Sequence, residues 1–574
     1  MRTTLAMIAC ALLLIAAGAK DRSADSGVAT FNALVDKFLD FYYPLHPSAA
    51  TAAGFHQYDS KLEDYTAAGQ ESLARGLKDY LAQFESVDRT KLPPDTAADL
   101  DWLIANIRGE LLAIEDIQAW RKDPDAYSGG PTNSIFVVMK RNFAPPEVRL
   151  QSVIAREREI PKALEAARLN LQNPPKIYVQ IALEQLPDET DFYRNDVPQA
   201  FSAVKDPKLL ADFKASNQAV IEAFQSYQKY LQDSVLPNAS GDFRIGSDNY
   251  RKKLLYDEMV DIPLDRLLEI GYADLHGNQQ AMKEVAAKID PNKSVQQVLS
   301  DIQKKHPAPD HLMQSFRDNF KGLRDFINEE KIVTIPPGPP PTLEDTPPFM
   351  RATTSASMDT PGAYETKSRE AFFNVTTPDP KWPADRTEQW MESFNNSMIP
   401  GVAIHEVYPG HFLQFLWINQ LHSKPRKLFF CSSNAEGWAH YSEQMMLDEG
   451  YGNGDPVLRM GQLEDALLRN ARYIVGIQMH TGNMTIDQAK EFFIKEGYQL
   501  PPVADVETKR GTGDPTYLVY TLGKLQILKL RDDYKKAKGD QFSLKEFHNN
   551  FLAQGAPPLK LVRQALLGQD QPVK

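Results

Sequence analysis

His405-Glu406-Val407-Tyr408-Pro409-Gly410-His411-Phe412-Leu413-Gln414-Phe415-Leu416-Trp417-Ile418 is the stretch on which the reading of this chain turns. It sets two imidazoles six residues apart, with a carboxylate beside the first. The run after His411 is apolar nearly all round, which describes a buried helix. In an unbroken helix, residues six apart point about 120° away from each other. Pro409 and Gly410 change that arithmetic. Pro409 lacks an N–H and its ring clashes with the carbonyl of His405, while Gly410 tolerates conformations closed to other residues. A π-type bulge that loops out two residues restores an effective spacing of four, at which both imidazoles reach one ion. The pattern predicts a helix that starts near Pro400 and bulges between Glu406 and His411.

A second stretch, Glu436-Gly437-Trp438-Ala439-His440-Tyr441-Ser442-Glu443, completes the set. Ser432, Ser433 and Asn434 are good N-cap residues, and the helix they open runs to Gly450. Glu436 is expected in its first turn, with His440 and Glu443 on the same face. Two His and one Glu with an open fourth position make the ligand set of a hydrolytic zinc site. The expected ligands of one Zn2+ ion are therefore His405, His411 and Glu436, with His440 as a replacement or additional ligand. Glu443 is expected to accept the other N–H of a ligand imidazole. Glu406, adjacent to His405, points differently and is placed to take a proton from water as general base. Residue type alone nominates His480, Tyr517 and Tyr520 to stabilise an oxyanion. Five of the eleven histidines (405, 411, 422, 440 and 480) lie in this part of the chain.

The rest of the 574 residues frames the site. Hydrophobic content of 42% and charged content of 24% are ordinary for a globular protein. Net charge is −12, and no basic stripe supports nucleic-acid binding. Met1 to Ala19 has one positive charge, an apolar run from Leu5 to Ala17 and small residues before Lys20, the form of a cleaved signal peptide too short to span a bilayer. A secreted or periplasmic protein with no stable membrane insertion follows. Cys10 lies inside that run, too early for lipid attachment, and its removal leaves Cys431, read as a small buried residue. No Gly-x-Ser-x-Gly elbow is present, against a serine hydrolase. Residues 20–330 show helical periodicity, as in Phe31–Phe41, 97–108, 211–231 and 266–275. Residues 331–385, with Pro336-Pro337-Gly338-Pro339-Pro340-Pro341 and a short strand at Phe372-Phe373-Asn374-Val375-Thr376, form a Pro-rich loop-and-strand insert. Helices resume over 386–574. The expected fold is mostly α: a large multi-helical, metallopeptidase-like body with a deep cleft between two helical halves and a small β/loop insert.

The two motifs together resemble the bacterial family known as domain of unknown function 885. Tyr43-Pro44-Leu45-His46-Pro47, Arg469-Asn470-Ala471-Arg472-Tyr473, Met479-His480, Tyr520-Thr521-Leu522-Gly523-Lys524 and Phe547-His548 support the likeness across nearly the whole mature chain. The resemblance implies a zinc metallopeptidase of the Glu-ligand class, with His405, His411 and Glu436 holding the metal and Glu406 as base. It favours Tyr520 over Tyr517 as oxyanion donor. Two positions depart from the family pattern: His440, where an apolar residue is common, and Gly476, where an Asp is common. The expected activity is hydrolysis of peptide bonds in short or unstructured peptides. The alternatives are hydrolysis of a non-peptide amide or ester, and a non-catalytic protein with a structural metal.

Overall fold

The computed structural model describes residues 26–351 and 354–568; the signal-peptide stretch and Cys10 lie outside them. The described chain is mostly helical with one small sheet. The periodic segments form helices over residues 26–42, Pro94–Leu111, Pro207–Tyr230 and Leu264–Ile289 (α1). In each, apolar residues three and four apart line the buried face, as Phe213, Val220, Phe224 and Tyr227 do in Pro207–Tyr230. Among the described residues, no helix is long and apolar enough to cross a membrane.

After the helix Leu312–Glu329 the prolines end helical structure, and three short strands follow. They are Thr342–Asp345 (β1), Ala356–Asp359 (β2) and Phe372–Val375 (β3). The order is β1-β3-β2, with β1 parallel and β2 antiparallel to β3. β3 is central and buries Phe373 and Val375 against Phe316 and Phe320. β2 is an edge strand with one side unpaired in the sheet.

The site rests on six helices of the C-terminal region. These are Met398–Glu406 (α2), His411–Ile418 (α3), Ser432–Asp448 (α4), Pro456–Thr481 (α5), Pro501–Gly513 (α6) and Val519–Lys538 (α7). α5 is buried on almost every side and packs along α1, sharing a core in which Leu267 and Leu275 meet Leu467 and Ile474. A helix from the middle of the chain is thus joined to the C-terminal region through one core. The expected cleft between helical halves is not the one that forms. The cavity at the site, about 590 Å3, is walled by residues between Arg351 and Tyr520, with the strand insert on one side and the C-terminal helices on the other.

Candidate metal centre

The chain does not bulge between Glu406 and His411; it breaks. α2 ends at Glu406, α3 begins at His411, and residues 407–410 are non-helical, with a cis Tyr408–Pro409 peptide. The N–H groups of Val407 and Tyr408 both donate to Ala403 O (3.0 and 3.3 Å), and that of Gly410 to Ile404 O (3.0 Å). A Cβ on Gly410 would lie 1.8 Å from His405 O, so only glycine permits this approach. Trp438 of α4 donates from Nε1 to Pro409 O (2.8 Å), satisfying a carbonyl that the break leaves without a helical partner. α2 starts at Met398, two residues before the expected Pro400.

α4 presents the third group. No side chain of its own caps it: Cys431 is the N-cap, and Glu258 from another helix accepts from Ser433 N (2.9 Å) and from Cys431 Sγ (2.7 Å). Cys431 is buried and unbridged. Glu436 is the fifth residue of α4, so it falls in the second turn and not the first. α4 and α7 cross closely because Gly437 meets Gly523. A Cβ at Gly437 would stand 2.5 Å from Gly523 Cα, and one at Gly523 would stand 1.9 Å from Ser433 O. This contact sets Tyr520, at the start of α7, beside Glu436.

His405, His411 and Glu436 come together. Glu436 Oε2 lies 3.4 Å from His405 Nε2 and 3.2 Å from His411 Nε2. Among the described residues this is the one group of three potential ligands whose donor atoms fall within 4.8 Å of one another. Glu436 Oε2 is buried and accepts no hydrogen bond. Tetrahedral zinc with bonds of about 2.0–2.2 Å sets its donors roughly 3.3 Å apart, so the spacing and the orphaned oxygen fit such an ion. Burial works to raise the Glu436 carboxyl, but His411 and His405 overcome it and hold the group well below the usual carboxylate range. Burial also works against a charged His405, yet Glu436 and Glu443 push its pKa up to about 9. The pair is an anion facing two imidazoles, ready for a cation to replace a proton.

Glu443 stands directly behind. Its Oε1 accepts from His405 Nδ1 (2.6 Å) and Arg469 Nη2 (3.0 Å), leaving His405 Nε2 to face the centre. Its Oε2 accepts from His440 Nδ1 (3.1 Å). His440 is fully buried, and burial, with Lys524 and Arg469 nearby, holds its pKa well below the ordinary value. It is a neutral support for Glu443 and lies outside the three-ligand group, which corrects its candidacy as a ligand. Glu406 is buried at the cavity wall with no side-chain hydrogen bond or ion pair to the described residues.

Tyr520 also lines the cavity. Its ring stacks near His405, with centroids 6.4 Å apart, and its hydroxyl accepts from Arg510 Nη2 (3.0 Å). His480 does not reach the site. It sits near the C-terminal end of α5, eleven residues past Arg469 and so roughly 16 Å further along the helix. There Nε2 bonds Gly511 O (2.8 Å), the ring meets Phe243, and burial lowers its pKa to about 4. Tyr517 is buried away from the cavity, against Gly476 and Gly511.

The sequence profile of the bacterial family described as "Bacterial protein of unknown function (DUF885)" matches residues 47–566. The chain belongs to this family. A solved structure from Shewanella oneidensis, described as "a putative lipoprotein of unknown function", is 26% identical, covering 94% of this chain and 99% of its own, with a TM-score of 0.78. A second, "the putative lipoprotein from Colwellia psychrerythraea", is 18% identical, covering 94% and 98%, with a TM-score of 0.79, and shows the shared fold. No curated protein matches the chain. At the position where Gly476 departs from the family pattern, an added Cβ would stand 2.9 Å from Pro515 O and from the Tyr517 ring. An aspartate has no room there in this chain.

Sequence reasoning gave no role to Arg469 and Arg472, although both were quoted in the family likeness. Arg469 ties Glu443 to Asp465, and Arg472 makes a two-pronged pair with Glu507 (2.6 and 2.7 Å). Their spacing of three on one helix, with Asp465 four before Arg469, was the available signal.

Proposed function

We propose that this protein is a zinc-dependent peptidase acting on short or unstructured peptides. One observation carries the reading: the buried, unbonded Glu436 Oε2 at 3.4 and 3.2 Å from two imidazole Nε2 atoms. His405, His411 and Glu436 would hold the ion, which when bound polarises a carbonyl and acidifies water. Glu406, next to His405 on the cavity wall, takes the proton of the attacking water and delivers it to the departing nitrogen. Burial and the nearby Glu436 raise the Tyr520 pKa against the pull of Arg510 and Arg472, so its phenol keeps its proton. That proton is available to hydrogen-bond a developing oxyanion.

A peptide is favoured over an ester because Ala356, Ser357 and Met358 of the edge strand β2 line the same cavity. The unpaired side of an edge strand offers backbone groups to extended peptide. The cavity's enclosure by the insert and the helices suits short chains. A location outside the cytoplasm accords with the apolar run at Leu5–Ala17 and with the lipoprotein descriptions of the two structural relatives. The test is Glu406→Gln. It should bind one zinc per chain like the wild type and lose turnover of unstructured peptides by about 10²–10⁴-fold. Full turnover in that variant would remove Glu406 from the mechanism, and faster turnover of an ester panel would redirect the substrate class.

A further inference from the structure

Three guanidinium groups surround Tyr520, with Arg469, Arg472 and Arg510 each carrying Cζ within 5.7 Å of its ring centroid. Two are held by carboxylates buried in the protein interior. Arg469 is clamped by Glu443 and Asp465, and Arg472 by both oxygens of Glu507. Arg510 differs. It is bonded through Nη2 alone, to the Tyr520 hydroxyl (3.0 Å) and to Asp514 (3.2 Å). Its side chain remains 27% exposed and lines the cavity. Nε and Nη1 make no other bond to the described residues and point to opposite sides of the guanidinium, so each can donate one charge-assisted hydrogen bond to a carboxylate oxygen.

α6 leads to that guanidinium. Val503, Val506, Glu507 and Arg510 recur at helical spacing on its cavity face. An apolar wall therefore ends at a cation. Among the described acidic residues of the lining, Glu406 and Glu436 are taken up by the metal centre of the reading above and Glu507 by Arg472, which leaves two to consider for an ammonium group. Asp465 is paired with Arg469, and burial pushes Glu464 up to about 8, leaving it neutral at pH 7. The Tyr520 ring lies 6.4 Å from His405 and 5.7 Å from Arg510 Cζ, so roughly 12 Å at most separates the guanidinium from His405. Extended peptide covers about 3.3–3.6 Å per residue; once the ligand–metal–carbonyl contacts at one end and the hydrogen bond at the other have taken about 2–3 Å each, one or two residues fit between the scissile carbonyl and Arg510.

Resting on the peptidase reading above, we propose that the enzyme trims peptides from the carboxyl end, with Arg510 binding the terminal carboxylate. Water adds its hydroxyl to the acyl carbon of the bond one or two residues from the end. The C–N bond breaks, and the departing amine takes the proton. Arg510 is a binding residue that sets where the chain end stops.

The test pairs one unstructured peptide as free acid and as C-terminal amide. Calorimetry on Glu406→Gln protein reads binding without turnover, and mass spectrometry reads the products of the wild type. The acid should bind about 10- to 100-fold tighter than the amide, the range of a charge-assisted hydrogen-bond pair. Arg510→Gln, placed in the Glu406→Gln background, should erase that ratio and leave the amide's affinity nearly unchanged. A general collapse of the site would weaken acid and amide alike. Arg510→Lys should keep part of the ratio, and it serves if the Gln variant does not fold. Products shortened at the C-terminus by one or two residues support the proposal. Equal binding of acid and amide, internal cuts, or trimming from the amino end would overturn it. No turnover with an intact acid preference would sink the peptidase reading and leave Arg510 as a carboxylate site.

Discussion

Glu157 and Glu436 both bring a carboxylate inside the helical packing, and their surroundings treat them in opposite ways. Glu157 in the N-terminal region meets only neutral donors, Ser216 Oγ and Asn217 Nδ2, and burial pushes its pKa up to about 7. Nearby, Asp123 is driven up to about 7 and Asp125 to about 6 by burial, with Asp125 adding to the rise at Asp123. At the metal centre burial has the same sign, but His411 and His405 reverse its result at Glu436, and Arg472 reverses it at Glu507. Where only packing is needed, the protein lets a buried acid keep its proton. Where it holds an acid ionised, it surrounds that acid with cations, at a desolvation cost that structure alone does not require. The contrast sets Glu436 apart from the packing acids by its surroundings and independently of any motif.

The strongest break of this contrast is Glu436→Gln. Removing the anion should weaken zinc binding by about 3–4 kcal/mol, roughly 10²–10³-fold, since it deletes one of three protein ligands. Glu157→Gln should leave zinc affinity unchanged. Competition with a chromophoric chelator measures both. Equal losses in the two variants would mean that Glu436 acts only as packing.

Glu157→Gln should instead change the pH dependence of stability. In the folded state Glu157 keeps its proton to about pH 7, whereas the unfolded chain releases it near 4.5. Between those values the unfolded state binds fewer protons, so stability falls as pH rises and the loss is complete above about 7. The contribution across this window is on the order of 3 kcal/mol. A glutamine keeps the carbonyl that accepts from Asn217 and, like the neutral acid, carries no charge, with its NH2 left to donate to the Ser216 hydroxyl. Thermal melts at pH 5 and pH 8 should show a smaller drop in Tm for the variant than for the wild type. An unchanged drop would place the proton elsewhere.

The same comparison explains what the sequence could and could not reveal. The meeting of His405, His411 and Glu436 was legible because they are unusual residue types at telling intervals. Amphipathic periodicity likewise marked the helices, and the run of prolines from Pro336 marked the insert. The form of the break was not legible. Pro409 and Gly410 announce an interruption, but the choice between a bulge and two helices depends on Trp438 reaching Pro409 O from another helix. His480 misled because nearness in sequence is not nearness in space along a 26-residue helix. The walls of the cavity were not legible either, because nothing local says that β2 of the insert faces the C-terminal helices across it. Arg469 went unassigned for a similar reason: its partners Glu443 and His405 come from other helices.

Glu443 gives the smallest and most diagnostic effect, because it touches the centre only through His405. Glu443→Ala should weaken zinc about 10–100-fold, the range for losing a carboxylate behind a ligand imidazole. It should also change the protons released on binding. In the wild type His405, pushed up to about 9, carries a proton at pH 7 that zinc must displace. Zinc affinity should therefore rise with pH up to about 9 and level off above it. Without Glu443 the desolvation of His405 meets less opposition and its pKa drops, so fewer protons leave at pH 7. Calorimetry in two buffers of different ionisation enthalpy counts them. If the wild type releases no proton at pH 7, then His405 is already neutral and Glu443 orients the ring without charging it. The boundary between the two kinds of buried acid would then run through Glu436 alone.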